Sequence, residues 1–94
     1  MYQPPTEIQF SLGMLLITPG AKEALHPHDC EDALCRHARG DWGNVYDVER
    51  VENERALERD DRICSAYCGS EGTEFWIITE GDRSTTTILL PEDY

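Results

Sequence analysis

Seven side chains of this sequence could bind a metal or carry thiol chemistry. Five lie within residues 26–37 and two lie further on: His26, His28, Cys30, Cys35 and His37, then Cys64 and Cys68. Structural zinc sites typically use pairs such as Cys-x2-Cys, with Zn–S distances of about 2.3 Å. No Cys-x2-Cys pair is present, and a strand through residues 63–68 would hold its two cysteines about 13 Å apart at ~3.3 Å per residue. Because that distance excludes a shared metal and a disulfide, the sequence favours buried thiols and predicts no metal and no cofactor.

Acid–base chemistry is a second hypothesis, with His37 and Asp41 as the reacting pair. A cysteine nucleophile with His37 as its base would make a small metal- or thiol-dependent enzyme. His37, however, follows Cys30 and Ala33 at helical spacing on an apolar face, where a hydrogen-bonded core histidine is the commoner outcome. The chain also lacks a nucleophile motif and a glycine-rich phosphate loop. We therefore disfavour an enzyme and keep it as the alternative function.

The charge of the chain limits the class of partner. Nineteen Asp and Glu residues oppose eight Lys and Arg residues, giving a formal charge of −11. This charge repels phosphate backbones and anionic lipid, so we expect no direct nucleic-acid binding and no membrane binding, whereas a basic protein suits it. The longest apolar run, within residues 12–17, falls far short of the ~20 residues that span a bilayer. The first residues do not form a signal peptide, so the expectation is a cytoplasmic protein with reduced cysteines.

A stripe of carboxylates on the second main helix is the most specific electrostatic feature. At ~100° per residue, four side chains fall within about 60° of one another if the helix reaches residue 61: Asp47, Glu54, Glu58 and Asp61. They would span roughly 21 Å at ~1.5 Å per residue. Such a stripe could imitate a run of phosphates in the nucleic-acid channel of a basic protein. The alternative is a solvated face softened by Arg50, Arg55 and Arg59.

The elements that must position these groups follow from periodicity and turn residues. The patterns predict a strand over 10–18, helices over 28–39 and 47–59, and strands over 63–68, 74–80 and 84–90. The fold class is therefore α+β, ordered β-α-α-β-β-β, with an antiparallel sheet of about four strands and two main helices on one face. The first strand is apolar on both sides, which favours a central position. Residues 1–94 fit a single domain, with residues 1–9 as a flexible arm.

Several residues of the loop and the last hairpin could serve either the surface or the core. Trp42 is either a recognition aromatic or a residue that fills the gap between helices and sheet, which we favour. Asp41 would cap the following turn or hold Asn44 or Asn53 through hydrogen bonds. Asn53, on the thin apolar face of its helix, would need buried partners, and the loop over residues 41–43 is the expected place for them. Trp76 points to the second face of the hairpin, where we expect a partner or a dimer contact. The Asp82-Arg83 turn has no predicted role beyond the turn itself.

Two longer motifs resemble those of a known group of proteins. They are RHARGDWGN, from Arg36 to Asn44, and FWIITEGDRSTTTILLPEDY, from Phe75 to Tyr94, with NERAL and SAY between them. From residue 36 onward the chain is similar to small uncharacterised bacterial proteins of plasmids, phages and other mobile elements. No catalytic residue comes with this resemblance, and the histidine and cysteine segment lies largely outside it. A mobile-element protein of this kind implies an inhibitor of host defence.

Three functional hypotheses result. The first is a non-enzymatic acidic protein-binding module, an anti-CRISPR or anti-restriction inhibitor whose stripe occupies the basic nucleic-acid-binding surface of a host defence effector. Trp42 and Trp76 are the aromatic candidates for that contact. The second is the small enzyme described above. The third is a structural module that forms a homodimer through its sheet.

Overall fold

A computed structural model of the protein describes residues 6–94. Three α-helices and four strands follow one another in this range: β1 Met14–Ile17, α1 Pro19–Ala24, α2 Pro27–Ala38, α3 Asp47–Arg59, β2 Ile63–Cys68, β3 Glu74–Thr79 and β4 Thr85–Leu89. The predicted α+β class is confirmed, and α1 adds a short helix to the predicted order. No helix within residues 6–94 has both the length and the apolar character needed to cross a bilayer.

The predicted N-terminal arm is described only from residue 6, so its first five residues lie outside the described residues. Its last residue, Gln9, is held against α2, because its backbone N–H donates to the Ala38 carbonyl at 2.8 Å. Phe10 then enters the smaller of two hydrophobic clusters. The chain is therefore fixed to the fold from Gln9 onward.

The four strands form one mixed sheet in the order β1-β4-β3-β2. As predicted, β2, β3 and β4 make an antiparallel meander, in which Ile77 pairs with Ser65 on one side and Ile88 on the other. β1 instead runs parallel to β4, with Met14 opposite Thr85. The prediction of a purely antiparallel sheet is therefore wrong. Hairpin turns impose antiparallel pairing only on strands adjacent in the chain, and nearly the whole domain separates β1 from β4.

β1 lies at an edge of the sheet and not at its centre as predicted. Its four residues, Met14–Ile17, are between 39% and 65% exposed, and β4 is its one strand neighbour within residues 6–94. The prediction failed because a strand apolar on both sides is usually covered on both sides. β1 is also shorter than predicted. Gly13, at φ +65°, leaves the extended region just before it, and Pro19 begins α1 just after it.

The main core lies between the helices and one face of the sheet. The sheet contributes large side chains, and α1 and α2 contribute mainly small ones that let the helices approach closely: Tyr67, Phe75, Ile77 and Ile88, against Ala21, Leu25, Cys30 and Ala33. A second cluster of Trp42, Ala56 and Ile63 attaches α3 at the β2 side of the sheet. The domain therefore has two layers, with the helices packed against one face of the sheet.

The second face of the sheet is covered in part by the end of the chain. The Tyr94 ring meets Trp76 edge-on, with ring centroids 5.7 Å apart. Arg62 pairs with Glu80 at 3.1 Å and donates to the Tyr94 hydroxyl at 3.1 Å. Beneath them Ile78 is only 6% exposed. Trp76 is therefore half-buried against its own chain.

Candidate functional site

The α3 helix is held to the fold by few residues and exposes most of its length. Nine of its thirteen residues are exposed, and only Asn53 and Ala56 are buried. Nine of its residues are Glu, Arg, Ala or Leu, which are good helix formers. Two acidic residues in the first turn and Arg59 in the last turn also suit the helix dipole. The helix ends at Asp60, whose backbone is left-handed at φ 55°.

The predicted carboxylate stripe lies on the solvent side of α3 for three of its four residues. Asp47, Glu54 and Glu58, which we call the α3 acidic face, are all exposed and lie opposite the buried Asn53 and Ala56. The fourth, Asp61, follows the end of the helix and does not continue the stripe. The α3 acidic face is therefore shorter than predicted, about 16 Å from residue 47 to residue 58 at ~1.5 Å per residue.

The carboxylates of the α3 acidic face differ in their partners. Asp47, whose side chain is 95% exposed, has a long ion pair with Arg50 at 3.4 Å. Glu58 makes no ion pair within the described residues. Glu54 accepts a hydrogen bond at 2.8 Å from the indole Nε1 of Trp42. Exposed ion pairs of this kind contribute little to stability, so most of the charge on this face stays directed at solvent.

Trp42 is a core residue, so it does not itself reach the surface as a recognition aromatic. It is 2% exposed, and its ring packs against both Phe10 and His37 with centroid distances of 6.2 and 5.9 Å. This is the gap-filling position that the sequence favours. Its one polar atom, the indole nitrogen, connects this cluster to Glu54 on the exposed side of α3.

Asn53 forms hydrogen bonds to the free edge of β2, so the prediction that its partners lie in the loop over residues 41–43 is wrong. Its Nδ2 donates to the Cys64 carbonyl at 2.8 Å, and its Oδ1 accepts from the Cys64 N–H at 3.2 Å. The next pair of outward groups, on Ala66, is bonded to the backbone of Trp42 and Asn44. The amide of one side chain and one short segment thus replace a neighbouring strand along this edge.

Asp41 and Arg36 join the end of α2 to the loop that follows. Arg36 binds the Asp41 carboxylate through Nε at 2.9 Å and Nη2 at 3.3 Å, and stacks over the Tyr67 ring at 4.9 Å. Burial would raise the pKa of Asp41, but the bonds from Arg36 and the Gly43 N–H outweigh it and lower the pKa. The Tyr67 hydroxyl donates to the Asp41 carbonyl at 2.6 Å. The carboxylate and the backbone carbonyl of Asp41 therefore both hold the loop after α2 in place.

His37 lies at the centre of a buried row of hydroxyl groups, whose hydrogen bonds determine its tautomer. Thr86 donates its proton to the Leu12 carbonyl, so Thr79 must donate to Thr86, and these bonds are each 2.7 Å. Thr79 therefore accepts from Nε2 of His37 at 2.8 Å. Because burial lowers the pKa of His37 and disfavours the charged imidazolium, the remaining nitrogen, Nδ1, carries no proton and accepts from the Ser65 hydroxyl at 2.5 Å. His37 is thus neutral, with its proton on Nε2.

The chemistry available to this row is limited by its burial. Burial, followed by the charge of Arg83, lowers the pKa of His37 to about 3. The Ser65–His37 contact has the geometry of a nucleophile and its base. Both residues are 0% exposed, so a substrate cannot reach either atom. The burial of His37 and its two hydrogen bonds are those of a core histidine.

The cysteines are dispersed across the fold. Cys30 is buried, Cys64 is partly buried, and Cys35 and Cys68 are exposed, all four as free thiols. Burial raises the pKa of Cys30 and Cys64, which disfavours the reactive thiolate. Within residues 6–94 no group of three or more His, Cys, Asp or Glu side chains is placed to hold a metal ion.

Arg83 is a structural residue that the sequence did not reveal. It lies in the turn between β3 and β4 with φ +61°, and its guanidinium reaches the last turn of α3. Nη2 donates to the Ala56 carbonyl at 2.8 Å and Nη1 to the Asp61 carbonyl at 2.6 Å. The Ala56 carbonyl also accepts from the backbone N–H groups of Asp60 and Asp61, so Arg83 adds a charged donor to this helix end. The motif GDRS contains Arg83, but no local signal identifies a partner 27 residues away.

The structure thus connects His37, Trp42 and Glu54 by direct contacts. Asn53 bonds β2 instead, and Trp76 lies on the other face of the sheet. No protein-family model, curated protein or solved structure matches this chain.

Proposed function

We propose that this protein is a non-enzymatic acidic binding module whose α3 acidic face engages a basic surface of a partner protein. The observation that carries the proposal is the exposure of α3, which presents nine of thirteen residues to solvent and rests on two buried ones. A helix retained only for packing would bury a wider apolar stripe. In this proposal the protein acts in the cytoplasm.

Charge and shape support a nucleic-acid-binding surface as the target. Residues 47–61 carry seven carboxylates and three arginines in a chain of charge −11. The α3 acidic face runs along one helix, like the phosphates along one strand, and a groove that binds phosphates would attract it. Val48 and Val51, which are 67% and 43% exposed, add apolar contact area beside the carboxylates. The resemblance to mobile-element proteins makes a defence effector, of the CRISPR or restriction type, the partner class we favour.

The experiment combines capture with competition. Immobilised protein is exposed to a nuclease-treated bacterial lysate, and each captured protein is identified and purified. We expect a basic nucleic-acid-binding protein whose affinity for a labelled DNA or RNA duplex, measured by fluorescence anisotropy, falls when this chain is added. A captured protein that binds nucleic acid equally well in its presence would contradict the proposal.

Matched charge variants assign the contact to α3. Asp47→Lys with Glu58→Lys, and Glu23→Lys with Glu71→Lys, each change the charge from −11 to −7, since each replaces two acidic residues by lysine. Glu54 is left intact because its reversal would also remove the partner of Trp42. We expect the α3 pair to weaken partner binding roughly tenfold or more and the control pair much less. Equal losses in both variants would show that net charge alone is recognised.

A further inference from the structure

The two edges of the sheet differ in whether their outward backbone groups are covered. At the β2 edge, Asn53 and the loop backbone bind the outward groups of Cys64 and Ala66. At the β1 edge, the described chain provides no such cover, and Leu15 and Ile17 alternate with the residues whose N–H groups bind toward β4. Natural edge strands are usually short and protected by Lys, Pro or a bulge. β1 is short, but Met14–Ile17 contains neither lysine nor proline.

The apolar surface around β1 extends beyond the strand. Met14 and Leu15 are 65% and 54% exposed, and Ile8 is 73% exposed. On the helix side, Leu15 borders a groove of about 170 Å³ that Ile8, Leu12 and Leu34 also line. Contiguous apolar surface of this kind marks an interaction site more often than scattered apolar residues do.

The distribution of charge indicates which molecule would cover the β1 edge. Residues 8–21 contain no charged side chain, although 29% of the whole chain is charged. Two copies of charge −11 would repel each other if they met through α3 or most other surfaces. The β1 edge is where they can approach with the least repulsion. A strand edge is also self-complementary under a two-fold axis, because each copy offers the same donors and acceptors.

We propose that β1 pairs with β1 of a second copy, antiparallel and about a two-fold axis, to form a continuous eight-stranded sheet. The outward groups of Leu15 would bond to those of Ile17 in the other copy, giving four backbone hydrogen bonds. Leu16 would then face Leu16 of the second copy across the axis. A register centred on Leu15 would require Gly13 to pair, and its φ of +65° takes it out of the extended conformation.

This register predicts a specific cross-link. Residues facing each other in a non-hydrogen-bonded antiparallel pair have Cα atoms about 4.5 Å apart, within the range that disulfides accept. In a background of Cys35→Ser and Cys68→Ser, which removes the two exposed thiols, we expect Leu16→Cys to form a covalent dimer on mild oxidation. Leu15→Cys is the matched control, because its counterpart lies diagonally, roughly 7–8 Å away. A cross-link at Leu15 that equals or exceeds that at Leu16 would overturn the register.

Self-association itself is measured by sedimentation equilibrium of the complete chain. We expect the wild type to approach twice its monomer mass of 10.7 kDa with rising concentration. Leu16→Lys should raise the dissociation constant at least tenfold, because it places two lysines together on the axis. The exposed Val48→Lys on α3 should leave the constant within about twofold of the wild type. Circular dichroism and the denaturation midpoint verify that both variants fold. A wild-type monomer at all concentrations, or a dimer unaffected by Leu16→Lys, would overturn the proposal.

Discussion

The buried row around His37 shows how single residues give this core its polar character. The side chains of Ser65, His37, Thr79 and Thr86 form a chain of hydrogen bonds in that order. The chain ends where Thr86 donates to the Leu12 carbonyl. Each hydroxyl has a single proton to donate. The donor in each hydrogen bond can therefore be assigned by working back from the bond between Thr86 and the Leu12 carbonyl. A buried polar group is tolerated when it is fully bonded. The row therefore fixes the position of α2 over the sheet without leaving a charge in the core.

His37 makes stability depend on pH in a window where few other groups titrate. Its pKa is about 3 in the fold and 6.5 in the unfolded chain, so between these values only the unfolded state binds the proton. The free energy of unfolding is therefore complete above pH ~6.5 and falls as pH decreases, by up to about 1.4 kcal/mol per pH unit. Urea denaturation at several values between about pH 7 and pH 5 measures this slope.

The matched variant for this prediction is His37→Gln. Glutamine retains a donor and an acceptor but does not titrate in this range. We expect the variant to be less stable at neutral pH, and its stability to change less between about pH 7 and pH 5 than that of the wild type. Asp29, Asp41 and Asp82, whose pKa values are lowered from 3.8, affect stability only below this window. Equal slopes in wild type and variant would contradict a buried neutral His37.

At the scale of elements, α3 is attached by side chains rather than by a broad apolar face. Asn53 bonds the β2 edge, and Arg83 bonds the Ala56 carbonyl near the C-terminus of the helix. Ala56 and the partly buried Leu57 supply the apolar contact. Such an attachment leaves the rest of the helix surface unconstrained by the core. The surface of α3 can therefore carry dense charge without disturbing the fold.

Replacing Asn53 should test the protection of the β2 edge. Asn53→Ala leaves the Cys64 N–H and carbonyl without their side-chain partner, which we expect to lower the free energy of unfolding by about 2 kcal/mol. Glu52→Ala is the control, since the one ion pair that Glu52 makes within residues 6–94 is an exposed contact with Arg55 at 3.6 Å, and we expect a change below about 0.5 kcal/mol. Urea denaturation of both variants gives the comparison. Equal costs would show that the Asn53 bonds contribute little.

Replacing Arg83 should selectively loosen the end of α3. Arg83→Met keeps the aliphatic stem but loses the guanidinium, which lies over the Phe10 ring and donates to the Ala56 and Asp61 carbonyls, at a cost of about 2 kcal/mol. Amide hydrogen exchange should accelerate most in the last turn of α3. Arg55→Met, on the exposed side of the same helix, is the control and should change neither stability nor exchange appreciably. Exchange that rises uniformly across the fold would contradict a local role for Arg83.

The elements differ in how far the sequence reveals them. The two long helices and the three-strand meander follow from local periodicity and turn residues, and their ranges agree with the structure to within one residue at each end. β1 could not be placed, because its pairing with β4 depends on residues some 70 positions away and its apolar pattern resembles that of a central strand. The partners of Trp42 and Arg83 were likewise not predicted, and those of Asn53 were predicted in the wrong segment, since each contact is tertiary. The α3 acidic face was visible because it depends only on helical spacing.

At the scale of the whole molecule, charge and apolar surface are separated. α3 lies at the β2 side of the sheet and β1 is the opposite edge. Pairing through β1 would therefore place the two α3 helices at the far ends of an eight-stranded sheet. With strands about 4.8 Å apart, the two β2 strands would be separated by roughly 34 Å. A dimer of this form could contact two basic surfaces at once, which raises avidity when both are on one partner.

This separation predicts opposite responses to salt. Raising the ionic strength from ~0.01 M to ~0.1 M shortens the Debye length from about 30 Å to about 10 Å. Repulsion between two chains of charge −11 is then screened while apolar and backbone contacts at β1 persist, so we expect the dimer dissociation constant to fall several-fold. Binding of the α3 acidic face to a basic partner should weaken over the same range. Sedimentation equilibrium and fluorescence anisotropy measure the two constants separately. A dimer that weakens with salt would mean that charge attraction, and not the apolar edge of β1, joins the two copies.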